Sequence, residues 1–172
     1  MRVLNKSFLT KRQTAADLHN GEPQENIIKS EAGFQEVPND AFIASYRIYY
    51  EDTDAGGVVY YANYLKFFER ARTDLLRSKN IIQSEIAEEL GIVFVVRDCH
   101  TKYLKPARMD DLIDVSVEII EVGKVSLRMK QEISLKGKIL NEMEVEIVCV
   151  NAKNFRPARI PESILEKLDA VN

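Results

Sequence analysis

From Ala41 onward the chain declares its elements by period. In AFIASYRIYY the even positions Phe42, Ala44, Tyr46, Ile48 and Tyr50 form one apolar face, the mark of a half-buried strand. The period then changes. In NYLKFFERARTDLLRSKN, Tyr64, Phe68, Ala71 and Leu75 recur at helical spacing with Leu65 and Leu76 alongside, while Glu69, Arg70, Thr73, Asp74 and Arg77 lie mostly off that stripe. Arg70 and Asp74 stand four apart and are expected to pair weakly. Asn63 is the expected N-cap. A shorter helix is predicted over residues 82–90, stopped by Gly91.

Beyond Gly91 the signal is almost all strand. GIVFVVRDCHTKYL is one run, ended by Pro106. Val115, Val117 and Ile119 mark the next, and Gly123-Lys124 reads as a tight hairpin turn. Val125, Leu127, Met129, Gln131, Ile133 and Leu135 then alternate with polar residues, Gln131 being the one polar break on the apolar side. After a turn at Gly137, Ile139, Met143, Val145, Ile147 and Cys149 share a face opposite Glu142, Glu144 and Glu146. PESILEKL is a short terminal helix with Pro161 near its start. The order predicts an α+β fold, with an antiparallel sheet covered by one long helix. Its outer face and edges are left for partners, so a homo-oligomer is expected. Residues 1–40 show no sustained period and read as a flexible or added extension, leaving residues 41–172 as the folded domain.

Composition narrows the chemistry. The 172 residues are 45% hydrophobic and 30% charged, with a net charge of -3. That suits one globular domain and supplies no basic footprint for nucleic acid. No apolar run is long enough for a membrane span. The mildly basic MRVLNKSFLTKRQ lacks the pattern of a secretory signal, so the cytoplasm is the expected compartment. Cys99 and Cys149 show no metal-ligand spacing and are expected to be buried free thiols. Of the two histidines, His19 lies in the extension and His100 in a strand pattern. No GxSxG, phosphate-cradling glycine loop or HExxH motif is present, and neither a metal nor an organic cofactor is expected.

One stretch remains unexplained by folding alone: YYEDTDAGGVVYYANYLKFFERAR, residues 49–72. It puts Glu51, Asp52 and Asp54 beside Gly56 and Gly57 where a helix begins. Glycines let a ligand approach the backbone closely. A helix N-terminus favours an oxyanion, and a carboxylate beside it can act as nucleophile or general base. The same residues also make an ordinary Asx turn and helix cap. Such turns are far commoner than active sites, so composition alone favours the turn.

As a whole the stretch resembles the hotdog-fold acyl-CoA thioesterases of the 4-hydroxybenzoyl-CoA type, in particular the branch associated with the Tol–Pal envelope system. The likeness continues through FVVRDCHTKYLKPARMDDLIDV and LNEMEVEIVCVNAKNFRPARIP, covering about residues 45–168. It implies a five-stranded antiparallel sheet wrapped around one long helix, with protomers pairing by sheet extension into dimers and tetramers. It also implies hydrolysis of acyl-CoA to CoA and a carboxylic acid. The family's catalytic aspartate falls on Asp54, as nucleophile or general base. The backbone N–H of Tyr61 would hold the thioester carbonyl, with Gly57 and Val58 beside the substrate. The branch usually carries histidine where this chain has Tyr61, and a tyrosine hydroxyl is a far weaker acid near neutral pH. Asp52 is expected to hold the turn, and Glu69 to be structural or solvated rather than to touch substrate. Lys102, Lys105, Arg108, Arg128, Arg156 and Arg159 are candidates for the CoA phosphates. The alternative is a weakly active or inactive scaffold that binds acyl carrier protein or envelope-lipid enzymes.

Overall fold

The computed structural model describes residues 41–169; the expected extension over residues 1–40 lies outside the described residues. The elements are β1 (Phe42–Arg47), α1 (Asn63–Ser78), α2 (Gln83–Glu89), β2 (Ile92–Tyr103), β3 (Leu112–Val122), β4 (Ser126–Leu135), β5 (Lys138–Asn151) and α3 (Glu162–Asp169). The five strands form one sheet in the order β1-β3-β4-β5-β2, with every pair antiparallel. This is the α+β arrangement that the periodicity predicts and the hotdog fold that the resemblance implies.

Register sorts the side chains into rows. One inner row runs Ala44, Val115, Ile133, Asn141, Tyr103, and the next runs Phe42, Val117, Gln131, Met143, Thr101. These rows pack against α1, whose Tyr64, Phe67, Phe68, Ala71, Leu75 and Leu76 are buried. Each fully buried large apolar side chain contributes about 1.5–3 kcal/mol. The outer rows are charged, as in Glu118, Lys130, Glu144, His100. Gly91 has φ +63 after the end of α2, the left-handed residue that closes a helix.

Several local expectations need correction. Asn63 is not the N-cap: Ala62 is, and Asn63 turns inward, buried, to donate its amide to the Asp52 carbonyl at 3.0 Å. The curved sheet buries a wider arc of α1 than one stripe, which takes in Phe67 and leaves Leu65 40% exposed. Tyr50 leaves the β1 alternation because the chain turns into a 3-10 turn over Tyr50–Asp52. Arg70 does not pair with Asp74. Asp74 instead accepts from Tyr46 at 2.6 Å and from Arg77 at 2.9 Å, and Arg70 lies over the Phe67 ring. Cys99 is exposed rather than buried, because it sits on the edge strand β2, at the margin of what α1 covers. Among the described residues, no helix is long and apolar enough to cross a membrane.

Candidate active site

The acidic loop is a small frame with one free arm. After the 3-10 turn, Thr53 and Val59 bridge, and the chain reverses between them. The Asp54 N–H donates to the Val58 carbonyl at 2.9 Å and the Gly57 N–H to the Asp54 carbonyl at 3.0 Å. Gly57 has φ +71, which a side-chain-bearing residue rarely adopts. The frame is anchored at both ends. Val59 N–H donates to the Ala107 carbonyl, and Ala107 N–H donates to the Tyr64 hydroxyl at 2.8 Å. Burial holds that hydroxyl's pKa above its ordinary value.

Asp52 is the keystone. It is buried, its carboxylate accepts the Tyr49 N–H at 2.8 Å, and its carbonyl accepts both the Tyr60 N–H and the Asn63 amide. These bonds spend Asp52 on geometry, as expected. Asp54 is the opposite case. It is exposed, and one carboxylate oxygen accepts the Gly56 N–H at 2.8 Å. Its other oxygen has no hydrogen-bond partner among the described residues. A Cβ at position 56 would stand 3.0 Å from the bonded oxygen, so glycine there lets the carboxylate rest on the backbone.

The loop ends at Tyr61, in the turn two residues before α1 begins. Its N–H, like that of Val58, meets no acceptor among the described residues, whereas the Gly57 N–H is used by the turn. The Tyr61 ring contacts Tyr60 at 4.7 Å and Tyr103 at 6.2 Å between centroids, and Tyr103 also contacts Tyr64 at 5.8 Å. The Tyr61 phenol beside it raises the pKa of Tyr60. The loop, the start of α1 and the end of β2 thus meet at one aromatic wall.

The sequence alone does not mark Tyr103, or half-buried Arg72 with its buried partner Gln131, as a site. Gln131 is fully buried; its amide donates to the Phe68 carbonyl at 3.0 Å and accepts from Arg72 at 2.8 Å. Glu69 points elsewhere, accepting the Thr73 hydroxyl at 2.8 Å. Of the basic candidates, Lys102 lies 3.9 Å from Glu142, and Arg128 pairs with Glu121 and Glu144. His100 lies on the outer face, in a groove of ≈ 340 Å³ shared with Arg97, Arg128, Glu144 and Glu146. That groove is on the side of the sheet opposite α1, away from the acidic loop.

Comparison with known proteins shows one family. The model of the thioesterase-like superfamily matches residues 49–168. The acyl-CoA thioester hydrolase YbgC of Escherichia coli is 44% identical over 120 residues, covering 69% of this chain and 89% of that one. The acyl-CoA thioesterase YbgC of Haemophilus influenzae is 39% identical over 126 residues, covering 73% and 93%. The crystal structure of a probable thioesterase from Bartonella henselae superposes with a TM-score of 0.68 at 32% identity, covering 70% of this chain and 99% of that one.

Proposed function

Since the chain belongs to the thioesterase-like superfamily and hydrolyses acyl-CoA thioesters, we propose that it does so at Asp54. The observation that carries this reading is the contrast within the loop: Asp52 is buried, whereas Asp54 is exposed with one oxygen held and the other open, beside a Tyr61 N–H that meets no acceptor among the described residues. The thioester carbonyl accepts from the Tyr61 N–H. An oxygen then attacks the carbonyl carbon, either the open oxygen of Asp54 or a water that Asp54 deprotonates. The tetrahedral oxyanion is held by the same N–H. The C–S bond breaks and CoA leaves as thiolate, taking its proton from Asp54 where water attacks and from solvent where Asp54 attacks; the acid is released at once in the first case and after water hydrolyses the anhydride in the second. The Gly56 N–H keeps the carboxylate in place, and no side-chain imidazole is needed at position 61.

The pocket closes between protomers in this reading. β2 is an edge strand, and it carries the exposed apolar residues Val96 and Tyr103, followed by Leu104. A second copy that extends the sheet there would cover them. Acyl carrier protein, which presents the same pantetheine thioester, is a further acyl donor of matching chemistry. The exposed free thiol of Cys99 suits a reducing compartment and supports a cytoplasmic placement.

The test is thiol release from a panel of aliphatic and aromatic acyl-CoAs, with the association state measured at each protein concentration. Turnover of at least one ester, falling as the oligomer dissociates, is expected. A chain silent on every ester, or equally active as a stable monomer, contradicts the respective half of the reading.

A further inference from the structure

The Asp54 reading leaves Arg72 without a task, and its surroundings are unusual. Several exposed cations of the described residues take carboxylate partners: Arg77 with Asp74, Arg97 with Glu146, Lys130 with Glu132. Arg72 is more buried than any of these, yet its one acceptor among the described residues is the neutral amide of Gln131. Guanidinium has five N–H donors, and burying most of it with no carboxylate in hydrogen-bond contact is costly; the charge of Glu69 acts on it through space only. That burial lowers the pKa of Arg72. Gln131 is itself locked to the Phe68 carbonyl, so the guanidinium is held in a set direction rather than left to wander.

Its position relates it to the loop. Arg72 shares a helical stripe with Tyr64 and Phe68, and Tyr64 meets Tyr103 on the inner face of β2. Eight residues of α1 separate Tyr64 from Arg72, about 12 Å along the axis. The largely apolar inner face carries one polar pair where β2 meets β5. Thr101 donates to the Asn141 side chain at 2.8 Å, and the other side-chain atom of that amide, Nδ2, is fully buried with no partner among the described residues. Buried polar groups left open in this way call for an explanation.

We propose that Arg72 is a specificity residue that binds a carboxylate at the far end of the acyl group, making ω-carboxyacyl-CoA thioesters the preferred substrate class. The inference rests on the Asp54 reading, since Asp54 fixes where the thioester sits. Arg72 then forms a charge-assisted contact of the kind guanidinium makes best with carboxylate. It does not touch the reacting atoms.

The test compares adipyl-, suberyl- and sebacyl-CoA with hexanoyl-, octanoyl- and decanoyl-CoA. The readout is kcat/KM for wild type, Arg72→Met and Arg72→Lys. Wild type is expected to favour the carboxylate-ended ester about tenfold or more at one or more lengths, the scale of a charged hydrogen bond. Arg72→Met should bring that ratio to one or below, and Arg72→Lys should keep part of it. A wild-type ratio at or below one at every length overturns the proposal, and needs no variant to fold. So does a ratio that survives Arg72→Met. Loss of assembly in Arg72→Met with no carboxylate preference in wild type would make Arg72 a contact to a second copy, which also overturns it. If the methyl-ended esters turn over normally in any of these cases, the Asp54 reading stands; if no ester turns over, it is that reading which fails.

Discussion

Asp52 and Asp54 stand two residues apart in the same loop, and the fold uses them in opposite ways. Asp52 is buried, its carboxylate accepts the Tyr49 N–H, and its carbonyl accepts the Tyr60 N–H and the Asn63 amide. Asp54 is exposed and gives one oxygen to Gly56. The first builds the frame and the second is presented by it. Each carboxylate accepts one backbone N–H, so burial, and not a place in an acidic cluster, separates their roles.

The comparison can be broken at several points. Asp54→Asn should lower kcat/KM about 10²–10⁴-fold, the range of a lost acid–base group, with an unchanged melting curve; a large drop in melting temperature would put Asp54 in the frame as well. Asp52→Ala should act the other way round. It removes the charged acceptor of the Tyr49 N–H, at about 1.5–3 kcal/mol of stability, read by urea denaturation. Gly56→Ala presses a Cβ to 3.0 Å from the Asp54 oxygen and should cost about tenfold in kcat, equal to about 1.4 kcal/mol of barrier, with little change in stability. Asn63→Ala removes the second donor to the Asp52 carbonyl, which keeps the Tyr60 N–H. It should cost about 0.5–1.5 kcal/mol. Arg77→Ala, which breaks an exposed pair far from the loop, should change stability by about 0–1 kcal/mol and activity not at all.

Much of the fold was legible before any coordinates. The alternation in β4 predicts its burial almost residue by residue, because a one-faced sheet imposes a strict period of two. Helix α1 was harder at its margins. A single stripe cannot anticipate a sheet that curls around the helix, so Phe67 was missed and Leu65 was assigned to the core. Asn63 was misread because capping propensity competes with tertiary hydrogen bonds, and the Asp52 carbonyl won. At the site, the acidic loop and its likeness to a thioesterase family pointed to Asp54 and Tyr61, while the residues alone left a plain turn open. The partners from β2, β4 and β5 could not be placed, since they depend on register across the sheet. Gln131 did signal itself as a polar break on an apolar face. Asn141 and Thr101 fall on the inner face as well, and only the register reveals it.

The most direct test of the division of labour is thiol release by Asp54→Asn and Asp52→Asn, side by side on the best ester, at a temperature where both are folded. Asparagine at position 52 retains an acceptor for the Tyr49 N–H, so that variant should turn over close to wild type while Asp54→Asn is nearly silent. Asp54→Asn working at the wild-type rate while Asp52→Asn is silent would contradict the account, and would move the chemistry to the buried carboxylate.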